Sequence, residues 1–268
     1  MLYISKRRTK NETTKYIINN LYESSFQCVN NNDMNHKISE RIFMLMFDIG
    51  ANAGTVTDCF VEQGYHVVAV EPLDYHCEEI KNRHDENDVT VINAAVHYKK
   101  GPLDFYTIEE WDVISTLSEE WRIKSRFGLE KSNRIWPTVI KVNCVKIDDL
   151  IEQYGIPKLI KIDVEGSEYE ALLSHNKKIE TVIVFEWTEE LIKNTKKCID
   201  HLASLGYTKY RNSCCHIEHE GLDNKNEKLF NENLYRPIEE FEDNIKSCFT
   251  TQTGRYDSHI AWGDVYVM

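Results

Sequence analysis

Glycine and proline are scarce, 11 and 5 in 268 residues, which excludes a collagen-like repeat and argues against a low-complexity, disordered chain. Long apolar runs are missing too, so no membrane span is expected. Basic residues are outnumbered, 32 Lys and Arg against 44 Asp and Glu, for a formal net charge of −12. A sequence-independent hold on a polyanion relies on a surplus of cations, so this balance argues against nucleic acid as a partner. The eight cysteines lack regular spacing and follow no secretory leader. The expectation is reduced thiols, no disulfide framework and a cytoplasmic location. What is present is 41% apolar content, enough for one sizeable core, with a length that allows one domain or two.

Residues 1–40 are rich in Asn, Lys, Thr and Ser, with Lys6, Arg7, Arg8, Lys10 and Lys15 set against one early acid, Glu12. No apolar stretch follows that would make this a signal peptide. Tyr16, Ile17, Leu21 and Tyr22 fall on one helical face, so an N-terminal helical extension packed on the main domain is expected in preference to a basic arm. The main domain is expected over residues 41–268, with a polar insertion at roughly 212–255.

The stretch around which the rest is organised is Phe47-Asp48-Ile49-Gly50-Ala51-Asn52-Ala53-Gly54-Thr55. The apolar run Ile42 to Phe47 reads as a buried parallel strand ended by Asp48. Gly50 and Gly54 bracket a tight turn where small residues let the backbone approach a ligand, and helical spacing resumes at Thr55. The next strand, His66 to Val70, stops at Glu71, 23 residues beyond Asp48. An acid at that place in a doubly wound sheet is positioned to hold a ribose diol. A dinucleotide fingerprint needs G-x-G-x-x-G. Asn52 and Thr55 occupy its second and third glycine places, so an NAD-dependent oxidoreductase is disfavoured.

The pattern D-x-G-x-N-x-G resembles instead the first motif of S-adenosylmethionine (SAM) methyltransferases. It is accompanied by Glu71-Pro72, Asn93-Ala94-Ala95-Val96, Ser115-Thr116-Leu117 and Lys161-Ile162-Asp163-Val164-Glu165-Gly166-Ser167-Glu168. Together, over roughly residues 43 to 190, this set resembles the FkbM family of SAM-dependent O-methyltransferases. The resemblance implies an α/β, Rossmann-like class I methyltransferase fold: a mostly parallel, doubly wound sheet with an antiparallel last strand. It implies SAM as cofactor, with Asp48, Gly50, Asn52, Gly54, Thr55, Glu71, Pro72, Asn93, Ala94, Ser115 and Asp163 as the binding set. Asn93 either reads the adenine from the same sheet edge as Glu71 or simply forms a turn.

Further along, Val96 to Tyr98 and Leu103 to Thr107 flank Lys99-Lys100-Gly101-Pro102, a hairpin signal that would append a small antiparallel piece to the sheet. Glu119 to Trp136 mixes Trp121, Phe127 and Trp136 with Arg122, Lys124, Arg126 and Arg134. It reads as an amphipathic lid helix, with a sugar- or base-stacking platform as the alternative. Thr138 to Ile147 alternates as a half-exposed strand, and Asp148 is expected to cap a short helix closed by Gly155. The strand Lys158 to Ile162 delivers Asp163 to the ligand edge of the sheet, and Thr181 to Phe185 delivers Glu186 to the same edge. Asp163, Glu165 and Glu186 are expected to converge there, while Glu168 is assigned mainly to its helix start. Glu189 to Leu205 reads as a long helix, and a further helix is expected around Ile238 to Cys248. The residues from His259 to Met268 read as the last strand.

An alcohol becomes a competent nucleophile when a base shares its proton. Asp163 or Glu186 is the expected base, with His259 as an alternative whose simpler reading is structural. A divalent metal bridged by the three carboxylates is the variant expectation. Cys214-Cys215-His216-Ile217-Glu218-His219 does not match common zinc spacings and reads as a loop. The function expected from the resemblance is O-methylation of a hydroxyl, first of a sugar or glycan, then of a small molecule, then of nucleic acid. A binding module that keeps the fold without turnover is the competing class.

Overall fold

The computed structural model describes residues 44–213, 230–249 and 261–268. The proposed N-terminal extension, the Cys214–His219 segment and His259 lie outside the described residues.

The chain alternates strands and helices in the order β1 (Met44–Ile49), α1 (Thr55–Glu62), β2 (Tyr65–Glu71), α2 (Asp74–Arg83) and β3 (Val89–Asn93). After an excursion it resumes with α5 (Ile147–Tyr154), β7 (Leu159–Ile162), α6 (Glu168–Leu172), β8 (Val182–Thr188), α7 (Ile192–Ser204) and β9 (Lys209–Asn212). It ends with β10 (Arg236–Pro237), α8 (Phe241–Phe249) and β11 (Trp262–Val267). These strands form one eight-stranded sheet in the order β10-β9-β11-β8-β7-β1-β2-β3. β1 pairs in parallel with both β2 and β7, and β11 runs antiparallel beside β8. The strand order therefore reverses between β1 and β7, the switch point where an open α/β sheet leaves a crevice at its carboxyl edge.

Buried parallel strands read as continuous apolar runs because both faces are covered. Phe47, Ile49, Val68, Val70, Ile160 and Ile162 point into one core with Leu150, Leu172, Ile199 and Phe241 from α5, α6, α7 and α8. Met46, Val67, Ala69 and Leu159 point the other way, onto Val56, Phe60 and Ile80 from α1 and α2. The period-two alternation along each strand thus fills two layers. Asp48 does not end β1: the strand runs on to Ile49, and Asp48 sits in register between Ala69 and Lys161. The neighbouring Lys161 is what allows a carboxylate inside the sheet.

The excursion holds a separate three-stranded sheet, β4 (Ala95–Val96), β5 (Gly101–Thr107) and β6 (Thr138–Val145), in the order β4-β6-β5. This corrects the hairpin expected around Gly101-Pro102. β4 is only two residues long and runs parallel beside β6, whereas β5 finds a seven-pair antiparallel ladder on β6. The expected lid helix is two short pieces, α3 (Glu119–Lys124) and α4 (Leu129–Ser132). Its aromatic residues are anchors: Trp121 and Trp136 are buried with Ile114 and Leu191. Asp148 does not cap α5. Asp149 accepts the Lys146 N–H at 3.2 Å, while Asp148 binds the buried His175 at 2.8 Å. The long helix expected from Glu189 begins as a 3₁₀ turn, Glu189–Leu191, before α7, and a similar turn, Ile238–Glu240, precedes α8. Among the described residues no helix is long and apolar enough to cross a membrane.

Candidate functional site

A cleft of about 210 Å³ opens at the carboxyl ends of β1, β2 and β7. Its floor is the turn after β1. The Gly50 and Ala51 N–H groups both donate to Val70 O, at 2.9 and 3.2 Å, pinning that turn across β2. Gly50 (φ 77°) and Gly54 (φ 83°) adopt the left-handed conformation that favours glycine. A Cβ on Gly50 would stand 1.9 Å from Asp163 O, and one on Gly54 would stand 2.7 Å from Ile80 Cγ1. The glycines are thus required by close chain-to-chain packing, where the sequence suggested an approach to ligand.

Glu71 ends β2 and is buried. One oxygen accepts the Leu73 N–H and the other the Asn52 N–H, both at 2.8 Å. Burial pushes its carboxyl up to about 7, and the two backbone donors and His76 and Lys161 hold it from rising further. Asn52 is held at φ 48° by this contact. The side chain of Asn93, opposite Glu71 in β3, donates to Glu71 O at 3.3 Å and Pro72 O at 3.2 Å, tying down the end of β2.

On the other side of β1, Lys161 is a buried cation between two carboxylates, 3.5 Å from Asp48 and 3.4 Å from Asp163. It also donates to Gly50 O at 3.2 Å. Burial works against its charge, but Asp163 and Asp48 outweigh burial and hold its pKa above the ordinary value. Asp48 is wholly buried and accepts the Thr57 hydroxyl at 2.7 Å. It braces the cleft from beneath.

Beyond Asp163 the chain turns sharply through Glu165 (φ 52°) and Gly166 (φ 87°). A side chain at Gly166 would press on Trp121 and Leu191 at 2.8 and 2.9 Å. Glu168 braces this turn by accepting the Val164 and Gly166 N–H groups at 3.2 and 3.1 Å. That is more than the helix-start role expected of it. The Thr116 hydroxyl donates to Glu165 O at 2.7 Å, and the Ser115 hydroxyl to that of Thr107 at 2.8 Å, so Ser115-Thr116-Leu117 straps the turn to the small sheet.

Asp163, Glu165 and Glu186 each offer an oxygen, and these atoms lie within 4.8 Å of one another. Burial, and then the charges of Asp163, Glu165 and Glu168, raise the Glu186 carboxyl well above its ordinary value. Asp264, cross-strand from Glu186, is raised to about 7 by burial and by Asp163.

Of the residues singled out in the sequence, Gly50, Asn52, Thr55, Glu71, Pro72, Ala94, Ser115, Asp163 and Glu165 line the cleft. Asp48, Gly54 and Asn93 do not, and act from behind it. Glu186 lines a smaller space of about 10 Å³ with Glu168 and Trp121. Sequence reasoning missed the cation Lys161, the acid Asp264 and the apolar wall of Leu73, Val96 and Phe105. Lys161 lay within a motif already singled out, but its role depends on Asp48, which faces it from the neighbouring strand. Asp264 had no signal, since only sheet pairing brings it close.

Residues 48–209 match the family described as the methyltransferase FkbM domain. No curated protein matches the sequence. Among solved structures, the chain is similar to a methyltransferase FkbM from Methylobacillus flagellatus KT, at 16% identity and a TM-score of 0.39. That alignment covers 62% of this chain and 39% of the other. It is also similar to a precorrin-6y C5,15-methyltransferase from Geobacter metallireducens GS-15, at 14% identity, TM-score 0.39 and coverage of 99% and 91%. A SAM-dependent methyltransferase from Geobacter sulfurreducens, in complex with S-adenosyl-L-homocysteine, is 10% identical with a TM-score of 0.36, covering 84% of each chain. The family match begins at Asp48 and takes in both the glycine turn and the Asp163–Glu168 turn, across a sheet of the order and strand directions described above; the chain belongs to the FkbM family of SAM-dependent methyltransferases.

Proposed function

We propose that the protein is an O-methyltransferase acting on a hydroxyl, first of all a sugar or glycan hydroxyl. The observation that carries this reading is the group of Asp163, Glu165 and Glu186 oxygens gathered within 4.8 Å, where β7 ends beside the inner part of β8.

The cleft suits the cofactor of the family. Lys161 is the sole cation among the described lining residues and is already paired with two carboxylates, so nothing there awaits a pyrophosphate. A cationic ligand is matched by Glu71, Asp163 and Glu165, and an adenine by the apolar wall at Leu73, Val96 and Phe105. When bound, SAM supplies a methyl group on an electrophilic sulfur.

Glu71 would take the ribose hydroxyls, a reading supported by its burial in the cleft and by the Asn52 and Leu73 N–H groups that fix the direction of its oxygens. Asp163 and Glu165 would hold the cofactor's charged end. Asp163 or Glu186 orients an acceptor hydroxyl and takes its proton, and a raised carboxyl such as Glu186 is the stronger base once ionised. Most of the acceleration then comes from holding the oxygen in line with the bond that breaks.

The same three carboxylates favour a second reading, in which a divalent cation bridges them and the acceptor oxygen, because Mg²⁺ takes one or two carboxylates together with waters and substrate oxygens. Transfer of radiolabelled methyl to monosaccharides, nucleotide sugars and oligosaccharides tests the proposal. Label on a sugar oxygen is expected, and label on nitrogen or carbon alone would overturn it. Full activity in excess EDTA removes the metal reading.

A further inference from the structure

Adjoining the residues that line the cleft, but not among them, lies a second, oppositely charged feature. The apolar cluster of Ile114, Trp121, Trp136 and Leu191 has Tyr106, Trp111 and Phe127 packed against it. Two arginines lie on these rings. The guanidinium carbon of Arg122 stands 3.7 Å from the Tyr106 ring centre, and that of Arg134 stands 3.9 Å from the ring centre of Trp111. Both side chains are half-buried. Neither guanidinium has a hydrogen bond or ion pair among the described residues, and Arg122 Nε and Arg134 Nη1 are sealed from solvent without an acceptor. Burial alone lowers the Arg134 guanidinium, with no carboxylate to offset it. Arg126, by contrast, is gripped by both oxygens of Glu190 at 3.1 Å.

A guanidinium is never deprotonated, and burying part of it without a partner is unfavourable. In a chain with 44 acidic residues, leaving two such groups unpaired on one aromatic cluster is the signature of a site whose counter-ion comes with a ligand. Stacking on an aromatic face fixes the plane of a guanidinium and leaves its edge for bidentate bonding to an oxyanion. The location is also right. Trp111 directly precedes Asp112 and Val113, which line the cleft. Tyr106 exchanges two backbone hydrogen bonds with Thr116, next to the cleft residue Ser115.

We propose that Arg122 and Arg134 receive an oxyanion, a carboxylate or a phosphate, carried by the hydroxyl acceptor. The substrate class is then an acidic or phosphorylated sugar, its hydroxyl toward Asp163 and Glu186 and its anion toward the arginines. This rests on the hydroxyl-methylation reading, so binding and methyl transfer are measured separately.

The enzyme saturated with S-adenosyl-L-homocysteine is titrated with glucose, glucuronate and glucose 6-phosphate, followed by tryptophan fluorescence, and the same three sugars are offered for radiolabelled methyl transfer. At least one charged sugar should bind about tenfold or more tighter than glucose, and added salt should erode the difference. Arg122→Gln and Arg134→Gln should each remove roughly tenfold of that preference, and Arg134→Lys should keep part of it. Affinity for S-adenosyl-L-homocysteine should not change. The thermal midpoint should stay level or rise, because an uncompensated charge has gone; a purely structural arginine would lower it. Equal binding of the three sugars, binding of none, a preference that survives both Gln variants, or a fall in their thermal midpoints overturns the proposal. Preferred binding of a charged sugar without methyl transfer to any hydroxyl keeps the oxyanion site and sinks the methylation reading. Equal methyl transfer to all three does the reverse.

Discussion

Replacing Glu168 with Gln isolates the energetic consequence of crowding acids at the rim. Glu168 is 7% exposed, and one of its oxygens receives two backbone N–H groups from the Val164–Gly166 turn. The Gln amide oxygen keeps both bonds, so the substitution removes only the ability to ionise. Burial, reinforced by Asp163, raises the carboxyl from 4.5 to about 7. The folded state therefore holds the proton more tightly than the unfolded state, and its advantage is complete at low pH and is lost as pH climbs from about 4.5 to about 7. A rise of that size is worth about 3 kcal/mol once the group is fully ionised. Glu168→Gln should therefore leave stability within about 1 kcal/mol of the parent at pH 5 and raise it by about 3 kcal/mol at pH 8. Urea unfolding followed by tryptophan fluorescence at the two pH values measures this. A gain that is the same at both, or a loss at pH 8, would refute the reasoning.

Gly50→Ala forces a Cβ to within 1.9 Å of Asp163 O at a left-handed φ, and a loss of roughly 3 kcal/mol or more is expected; a variant with the parent's thermal midpoint contradicts the packing described. As one of the two proposed bases, Glu186 must be ionised to accept a proton, and its carboxyl is raised by burial and by Asp163, Glu165 and Glu168. Methyl transfer should therefore increase with pH over a limb lying above the usual carboxylate range, and Glu186→Gln should abolish that limb together with most of kcat. An unchanged pH profile in the variant would remove Glu186 from the role.

The parts of the fold that were legible in the sequence are those with a local cause. The β1 turn announces itself because Gly50 and Gly54 occupy backbone conformations few other residues tolerate, and β7 and β8 because short, mainly apolar runs, interrupted only by Lys161 and by Glu186, read as buried strands. The convergence of Asp163 and Glu186 was legible because β7 and β8 are adjacent and parallel, although Glu186 does not end its strand as expected: β8 runs on to Thr188 and Glu186 pairs with Asp264 inside the sheet. What was not legible depends on partners distant in the chain. Asp48 looks like a ligand residue until Lys161 and Thr57 are seen to surround it. β5 looks like half of a local hairpin until the longer β6 offers a better ladder. The span from Glu119 to Trp136 looks like one amphipathic helix, yet a Cβ at Gly128 would stand 2.7 Å from Ile123 O, and the two tryptophans are drawn into a core that includes Leu191. Arg122 and Arg134 were visible as basic residues among aromatics, but their lack of a carboxylate partner among the described residues is a property of the folded surface alone.

Calorimetric titration with S-adenosyl-L-homocysteine tests most directly the claim that the rim above β1 and β2 seats the cofactor through Glu71. One molecule should bind per chain, and Glu71→Ala should weaken it by at least about tenfold, since two or more hydrogen bonds to a charged group are lost. No heat of binding in the parent, or equal affinity in the variant with its fold intact, would contradict the account.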